Sequence, residues 1–233
     1  MLSKLDERLM SAVPYLKKGG RVADVGTDHA YLPIYLIERE ISSFAVASDL
    51  RKGPLECAKN NVESAGLSDR IALVLCDGLS GIEPYAPDDI LIFGMGGELI
   101  VSILDAAPWV KNEKIGLVLQ PMSHPEVLRA YLLEKGFCIL GESLSFADRI
   151  YQTIYARYDA KSAPAPYTDA ELLVGRYNLS SHSPLLRPLL VREIDILSRV
   201  IEGKKSAADP DAAKEEALLQ QLRTRLENDD ENK

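Results

Sequence analysis

The sequence predicts an α/β chain in which helices cover a mostly parallel sheet, followed by a separate pair of helices. Short apolar runs of strand length recur over residues 21–157, and segments with apolar residues at three-to-four spacing lie between them. This alternation requires parallel strands joined by helical crossovers. Hydrophobic residues make up 46% of the chain and charged residues 27%, which is the composition of a globular protein with a buried core.

The predicted strands and helices alternate from the first glycine-rich segment onward. Two further strands have no helix between them, so we expect them to form an antiparallel pair at one edge of the sheet. Seven strands with this closing pair define a Rossmann-like sheet. The strands are expected at residues 21–25, 43–48, 71–76, 89–93, 115–119, 137–144 and 152–157, and the helices at 32–40, 53–65, 99–107 and 126–135.

The composition changes after the last predicted strand. Residues 161–166 are rich in proline and small side chains, which predicts a linker. Residues 184–201 and 212–226 each carry leucine and isoleucine on one helical stripe, so we expect an antiparallel helical hairpin, a coiled coil. The predicted domains are a Rossmann-like catalytic domain over residues 1–160 and a helical appendage over residues 167–233.

Composition argues against several classes of protein. Cys57, Cys76 and Cys138 lie far apart inside apolar segments, so we expect neither a disulfide framework nor a metal site, but buried thiols in a reducing cytoplasm. No apolar run approaches the roughly 20 residues that span a bilayer, and residues 1–18 do not have the pattern of a signal peptide. The net charge of −8 argues against indiscriminate binding of nucleic acid, but it allows a local basic patch.

The turn after the first predicted strand is a candidate cofactor site. Gly26 lies where the backbone must turn sharply and let a ligand approach, and Asp24 before it can receive an amino group. A nicotinamide dinucleotide places its diphosphate here and prefers further glycines, but this chain has Asp28 at the next glycine position. Because a carboxylate repels a diphosphate and attracts a sulfonium or an ammonium, the turn favours S-adenosylmethionine.

Two more aspartates end the next two predicted strands. Asp49 lies about 20 residues past the glycine turn, where an acid takes the ribose hydroxyls, and Asp77 follows the third strand, where an acid can bind the adenine amino group. Each could instead be a helix cap or a turn residue. Including neighbours on the same turns, the predicted cofactor-binding residues are Asp24, Gly26, Thr27, Asp49, Leu50, Asp77, Gly78, Gly94 and Met95.

A glycine loop follows the fourth predicted strand and faces the expected substrate. Gly94, Gly96 and Gly97 offer bare backbone to which a flat base can come close, although a tight turn without a ligand is the alternative. Gln120 and Pro121 end the neighbouring strand. We therefore predict that Gly96, Gly97, Gln120 and Pro121 contact substrate.

Together these motifs resemble the bacterial tRNA adenine-22 N1-methyltransferase family. The similar segments run in order through residue 158, and the helical hairpin is similar to the family's coiled-coil appendage. The chain departs from the pattern at Met122 and Ser123, because many relatives have asparagine after the Gln-Pro pair. The segments that carry the resemblance are 24–33 (Asp-Val-Gly-Thr-Asp-His-Ala-Tyr-Leu-Pro), Asp49 with Gly53 and Pro54, 77–79 (Asp-Gly-Leu), 94–97 (Gly-Met-Gly-Gly) and 119–121 (Leu-Gln-Pro).

The resemblance implies that a methyl group passes from S-adenosylmethionine to N1 of an adenine in the D-arm region of tRNA. Positive charge then develops on the base, and a carboxylate near the exocyclic amine would stabilise it. Asp28 is our first choice for that role, although it could equally be a cofactor ligand. His29 is the second candidate base, and Tyr31 could stack on the adenine or line the cofactor pocket.

Basic residues near the strand ends and on the appendage are candidates for contact with RNA. Arg8 and Arg149 are the predicted substrate-binding cations beside the site, with Arg51, Lys52, Lys17 and Lys18 nearby. A solvated charged face is the alternative for the cations of the first hairpin helix, and we expect a monomer or a weak dimer through the hairpin. Those hairpin cations are Arg176, Arg187, Arg192, Arg199, Lys204 and Lys205.

Three other functions are compatible with parts of the pattern. A methyltransferase of the same fold could act on a small molecule or a protein, with the hairpin only packing or dimerising. A catalytically silent cofactor-binding module could serve as an RNA scaffold, although only 6% of the residues are aromatic and a general RNA binder needs stacking surface. A nicotinamide-dependent dehydrogenase is disfavoured by Asp28 and the missing glycines.

Overall fold

The computed structural model of the chain describes residues 5–162, 165–206 and 211–231, and it divides into two compact units between Ala165 and Pro166. The first unit is built on a seven-stranded sheet in the order β3-β2-β1-β4-β5-β7-β6. The predicted sheet with its closing antiparallel pair is therefore confirmed. The strands are β1 Gly20–Val25, β2 Ser42–Asp49, β3 Ile71–Leu75, β4 Asp89–Met95, β5 Gly116–Pro121, β6 Phe137–Phe146 and β7 Ile150–Tyr158.

Five helices belong to the first unit, and four of them join consecutive strands. Helices α2 and α3 pack together, as do α4 and α5. Because helices cover the sheet, the central strands are buried along nearly their whole length and read as continuous apolar runs. The helices are α1 Glu7–Met10, α2 Tyr31–Glu38, α3 Lys52–Ser64, α4 Gly97–Asp105 and α5 Pro125–Glu134.

Strand register brings the loops of the predicted site to one edge of the sheet. The strands β1 to β5 are parallel, so their carboxyl ends meet at the same edge. Strand β7 runs antiparallel to β5 and pairs Ile154 with Leu119. The turn between β6 and β7 therefore reaches this same edge and projects beyond the end of β5. That edge carries the candidate site.

The cysteines differ in part from the prediction. Cys57 is exposed on α3, so the expectation that it is buried is wrong, whereas Cys76 and Cys138 are half-buried. The apolar spacing around Cys57 marks one face of a helix, and the cysteine lies on the other face. All three thiols are free.

The second unit is helical. A capping box starts α6: the Thr168 side chain accepts from the Glu171 N–H, and the Glu171 carboxylate accepts from the Thr168 N–H. The long helices α8 and α9 pack against each other, which confirms the predicted helical pair, whereas α6 and α7 were not predicted. No helix within the described ranges is long and apolar enough to cross a membrane. The helices are α6 Asp169–Val174, α7 Arg176–Leu179, α8 Leu186–Lys205 and α9 Ala213–Glu231.

Candidate active site

The turn between β1 and α2 is held in a fixed and strained conformation. Gly26 has φ +80°, and the N–H groups of Gly26 and Thr27 both donate to the Ser48 carbonyl at 2.8 Å. Ala30 starts α2 at φ +54°, a left-handed conformation that is unfavourable for a side chain with a Cβ, and its N–H donates to Thr27 Oγ1 at 3.2 Å. Strain of this kind concentrates at ligand sites.

A first cavity of about 270 Å³ opens at the ends of β1, β2 and β4. Asp49 is buried at its base and accepts a hydrogen bond from the Arg51 N–H at 2.7 Å, whereas Leu50 is 64% exposed on the wall. Leu99, from the first turn of α4, also lines the cavity and was not predicted. Seven of the nine predicted cofactor residues line it: Gly26, Asp49, Leu50, Asp77, Gly78, Gly94 and Met95.

A second cavity of about 390 Å³ adjoins the first. Both are lined by Gly26, Arg51, Phe93 and Gly94, so one ligand can extend from one cavity into the other. Arg51 was predicted only as a nearby cation for RNA, and Phe93 was not predicted, because a buried aromatic residue in a strand does not stand out in a sequence. The second cavity receives the remaining predicted residues of this region: Asp24, Thr27, Asp28, His29, Tyr31 and Arg8.

Asp24 is the deepest acid of the second cavity. Burial raises its pKa to about 6, while a hydrogen bond from Thr27 and the positive charge of Arg8 act in the opposite direction. A buried carboxylate whose pKa lies close to neutral pH is strongly stabilised by a cationic ligand, because the positive charge of the ligand compensates for the lost hydration. Asp49 therefore lines the first cavity and Asp24 the second, and the two connected cavities form one crevice.

Asp28, His29 and Tyr31 form a small cluster at the open side of the second cavity. Asp28 Oδ2 lies 3.2 Å from His29 Nε2, and the Asp28 side chain is 69% exposed. The His29 ring stacks on the Tyr31 ring with 5.0 Å between centroids. The His29 carbonyl accepts from Asn61 Nδ2 at 2.9 Å, which ties this loop to α3. Carboxylate, imidazole and phenol thus stand side by side where a second ligand could enter.

The glycines at the end of β4 and the start of α4 have two different roles. Gly94 is exposed at φ +77° and leaves open space next to both cavities. Gly97 is buried, and a Cβ there would come within 2.2 Å of the His124 carbonyl oxygen. Close packing against the β5–α5 loop therefore explains Gly97, and a Cβ at Gly96 would similarly stand 3.0 Å from Ser123 Oγ. The predicted contact of Gly96 and Gly97 with substrate stays a prediction.

Gln120 and Pro121 are placed otherwise than predicted. Both are buried, and the Gln120 side chain is wholly inaccessible. Its Nε2 donates to the Arg8 carbonyl at 3.2 Å and to Thr153 Oγ1 at 2.9 Å. Gln120 therefore holds the N-terminal segment against the sheet and has no free surface to offer to a base.

Arg8 and Arg149 come together although 141 positions separate them. The Arg8 guanidinium lies 5.5 Å from the centre of the Tyr151 ring and the Arg149 guanidinium 5.0 Å from it. Arg8 lines the second cavity. The structure thus gathers the two predicted substrate-binding cations at one point of the carboxyl edge.

Several cations of the second unit are engaged by acids. Arg176 donates to Glu171 at 2.7 Å and lies over the Tyr167 ring at 3.9 Å. Arg192 donates to Glu193 at 2.6 Å. Lys204 and Lys205 each lie 2.6 Å from a glutamate of α9, Glu215 and Glu216. Arg176 lies on α7, so its predicted position on the first hairpin helix is wrong, and that helix, α8, is less basic in effect than its composition suggests.

The described segments contain no group of three or more His, Cys, Asp or Glu side chains placed to hold a metal ion. The predicted absence of a metal stays a prediction. The acids of the crevice are divided between the two cavities, with Asp49 and Asp77 in the first and Asp6, Asp24 and Asp28 in the second, and Arg51 lines both. This favours an organic cation over a metal as their ligand.

Known proteins match this chain in sequence and in fold. A methyltransferase-domain family model matches residues 5–154. A tRNA (adenine(22)-N(1))-methyltransferase of Bacillus subtilis strain 168 is 32% identical over 229 residues, which cover 96% of this chain and 94% of that protein. The crystal structure of the B. subtilis tRNA methyltransferase TrmK matches with a TM-score of 0.81 at 31% identity, over 98% of each chain. A Streptococcus pneumoniae protein in complex with S-adenosyl-L-methionine matches at 28% identity and a TM-score of 0.82, over 96% of this chain and 100% of that one.

Proposed function

We propose, from the premise that this chain belongs to the tRNA (adenine(22)-N(1))-methyltransferase family, that it transfers a methyl group from S-adenosylmethionine to N1 of adenine 22 in tRNA. The observation that carries the proposal is the pair of adjoining cavities at the carboxyl edge of the sheet. One has the acids and apolar walls that suit an adenosine, and the other holds a buried aspartate and an exposed polar cluster.

The residues of the first cavity fit the nucleoside half of S-adenosylmethionine. The buried Asp49 carboxylate can accept from ribose hydroxyls, and Asp77 can accept from the adenine amine. Leu50 and Leu99 supply apolar walls for a flat purine. The fit disfavours a dinucleotide, because the turn at Gly26 is bordered by carboxylates that would repel a diphosphate.

The residues of the second cavity fit the amino-acid half of the cofactor and the base. Asp24 is buried and can pair with the ammonium group, whose charge would bring the Asp24 pKa down again. S-adenosylmethionine supplies the methyl group from its sulfonium centre. Tyr31, which is 40% exposed beside His29, offers a ring on which an adenine can stack, opposite the open backbone at Gly94.

Asp28 stabilises the charge that develops on the adenine. As the N1 lone pair forms its bond to the methyl carbon, positive charge spreads to the exocyclic amine, and a carboxylate that accepts from this amine lowers the barrier. His29 orients Asp28 through the 3.2 Å contact between His29 Nε2 and Asp28 Oδ2. The proton that the methylated base later loses can pass to Asp28 or to solvent.

A substitution at Asp28 separates this role from cofactor binding. We expect Asp28→Ala to lower kcat by about 10²-fold or more, because general-base and charge-stabilising groups contribute on that order. Its affinity for S-adenosylmethionine, measured by calorimetry, should change little. Normal turnover by the variant would remove Asp28 from the mechanism, and a large loss of cofactor affinity would make it a cofactor ligand.

The function itself is tested with unmodified tRNA transcripts and labelled S-adenosylmethionine. Methylation at N1 blocks the pairing edge of the base, so reverse transcription should stop at adenine 22. A transcript with guanine at that position is the matched control and should take up no label. Label on the control, or stops elsewhere, would contradict the proposed target.

The second unit has a role of its own in the proposed function, which is to contact the RNA. N1 of a paired or stacked adenine must be extruded before it can react, and this needs contacts along the RNA beyond the crevice. We propose that residues 1–160 carry cofactor and chemistry and that residues 167–233 add RNA contacts through exposed cations such as Arg199. Arg199→Gln should then weaken tRNA binding and leave cofactor affinity unchanged. A tRNA substrate also implies a cytoplasmic enzyme. We propose that it works as a monomer or as a weak dimer through the hairpin.

A further inference from the structure

The turn between β6 and β7 carries a cluster of side chains that the cofactor and the base do not use. It stands on the same edge as the active site, because β7 pairs Ile154 with Leu119 and begins four residues earlier, at Ile150. At about 3.4 Å per residue, the start of β7 projects roughly 7 Å past the end of β5 at Pro121. The turn therefore projects past the sheet at the edge that carries both cavities.

Tyr151 is the centre of this cluster. Its ring is only 6% exposed, and its hydroxyl donates to Asp148 Oδ1 at 2.7 Å, which lowers the pKa of Asp148. The turn is closed by a hydrogen bond from the Ala147 N–H to the Arg149 carbonyl at 3.1 Å. The ring is thus a fixed platform on a fixed turn.

Two guanidinium groups reach this platform from different parts of the chain. Arg8 comes from α1 and Arg149 from the turn, at 5.5 and 5.0 Å from the ring centre. Stacking on an aromatic ring orients a guanidinium but leaves its N–H donors available. Within the described part of the chain, neither guanidinium donates a hydrogen bond to a carboxylate.

The negative charges of Asp6, Asp24 and Asp148 remain near these cations, but in the described residues none of the three carboxylates accepts a hydrogen bond from either guanidinium. Asp6 lies 3.8 Å from Arg8 Nε, but its other oxygen caps α1 by accepting from the Leu9 N–H at 2.8 Å. Asp148 is engaged by the Tyr151 hydroxyl. Arg8 is also held in place by its backbone, because its carbonyl accepts from Gln120 Nε2 at 3.2 Å and from Ser11 Oγ at 2.7 Å.

An exposed aromatic side chain lies on the same hairpin turn as Arg149. Phe146 ends β6, pairs with Ile150 in the ladder and is 52% exposed. A phenylalanine exposed at the tip of a turn has no role in the core. Ser145 pairs with Tyr151, so Phe146 points to the other face of the hairpin from the Tyr151 ring. The turn thus offers guanidiniums for an anionic phosphodiester on one face and a ring for a flat base on the other.

We propose that Arg8 and Arg149, arranged around Tyr151, bind a phosphodiester of the RNA backbone next to the extruded adenine, and that Phe146, exposed at the tip of the same turn, stacks on a neighbouring base. This rests on the proposed function, since it names where the same substrate is held. Arg8 lines the second cavity and shares the Tyr151 ring with Arg149, so the nucleotide held here is a near neighbour of the reacting one.

The salt dependence of tRNA binding tests the phosphodiester contact. The full-length protein is titrated with an unmodified tRNA transcript between 50 and 200 mM KCl. Arg149→Gln should weaken binding and reduce the slope of log affinity against log salt by about 1, because one phosphate contact is lost. Arg149→Lys should retain most of the slope. Phe146→Ala should weaken binding roughly five- to hundredfold with little change in slope, because stacking carries no net charge.

A matched control lies at the opposite edge of the sheet. Arg39 is exposed at the end of α2 and lies 5.6 Å from the Tyr35 ring, so Arg39→Gln removes the same type of group from the same type of contact. It should leave affinity and slope unchanged. S-adenosylmethionine affinity should be unchanged in every variant, since Arg149 and Phe146 line neither of the two described cavities.

The outcomes separate this inference from the proposed function. If the wild type methylates adenine 22 but Arg149→Gln binds tRNA with an unchanged slope, the inference is wrong and the function stands. Equal losses in Arg149→Gln and Arg39→Gln would also overturn it, because they would indicate a general effect of charge. If the wild type neither binds nor methylates tRNA, both proposals fall.

Discussion

Replacing Asp24 with asparagine should make the cofactor-free protein more stable while it abolishes cofactor binding. Asp24 is buried, and its pKa is raised to about 6 from an ordinary value of 3.8, chiefly by burial. The folded protein thus binds the proton more tightly than the unfolded chain does. Between pH 3.8 and about 6, this group lowers the free energy of unfolding as the pH rises.

The size of the effect follows from the two pKa values. The difference between about 6 and 3.8, at about 1.4 kcal/mol for each pH unit, corresponds to about 3 kcal/mol of destabilisation at pH 7. Asparagine has nearly the same shape, can still accept from Thr27 and carries no charge. Asp24→Asn should therefore be more stable than the wild type by up to about 3 kcal/mol at pH 7, and the gap should shrink to under about 1 kcal/mol at pH 4.

Denaturant unfolding of both proteins at pH 4 to 7.5 without cofactor measures this difference. In a second series, S-adenosylmethionine at a hundred times its dissociation constant should raise the wild-type unfolding free energy by about 2.7 kcal/mol and leave Asp24→Asn unaffected. Asp69→Asn, which removes a charge from an exposed turn, should show neither effect. A variant no more stable than wild type at pH 7, or a gap that does not change with pH, would refute the reasoning.

Three further outcomes are expected. Gly97→Ala should lower the free energy of unfolding by about 1–3 kcal/mol in a denaturation assay, because its Cβ would clash with the His124 carbonyl oxygen. Gly53→Ala, in open space on α3, is the control and should be neutral or slightly stabilising in the same assay. Tyr31→Ala should reduce kcat/KM for tRNA by roughly five- to hundredfold and Tyr31→Phe only slightly, if the ring acts by stacking; equal effects would assign the role to the hydroxyl instead. Glu142→Gln should lower the unfolding free energy by about 3–5 kcal/mol, because it leaves the fully buried Arg129 without its anionic partner; an unchanged thermal midpoint would contradict this.

The sequence predicted the sheet because the signals for it are local. Each parallel strand is a short apolar run, and a glycine or an aspartate marks the carboxyl end of β1 to β4, so parallel pairing and the site edge follow from general rules of α/β folds. The missed helices α6 and α7 are too short for a periodic pattern to emerge. Cys57 was misplaced because apolar spacing identifies a helix more reliably than it identifies which side of the helix a single residue faces.

The site was predictable where it is built from strand ends and unpredictable where it is built from packing. Gln120 lies near the carboxyl end of a buried strand, as a ligand-binding residue would, and nothing in the neighbouring sequence indicates that its amide donates to the Arg8 carbonyl.

The hydrogen bond from Gln120 to the Arg8 carbonyl also helps to hold Arg8 close to Arg149. Arg8 belongs to a four-residue helix that could not hold a position by itself, because isolated short helices are unstable in water. Gln120 and Thr153 fix this helix to the sheet through Ser11, whose hydroxyl donates to the Arg8 carbonyl and lies 2.7 Å from Thr153 Oγ1. Gln120 therefore contributes to the proposed RNA contact by holding Arg8 in place. Gln120→Leu should weaken tRNA binding to the extent that Arg8 is displaced. Its affinity for the cofactor should be unchanged, because Asp49, the proposed ribose ligand, lies at the other end of the crevice.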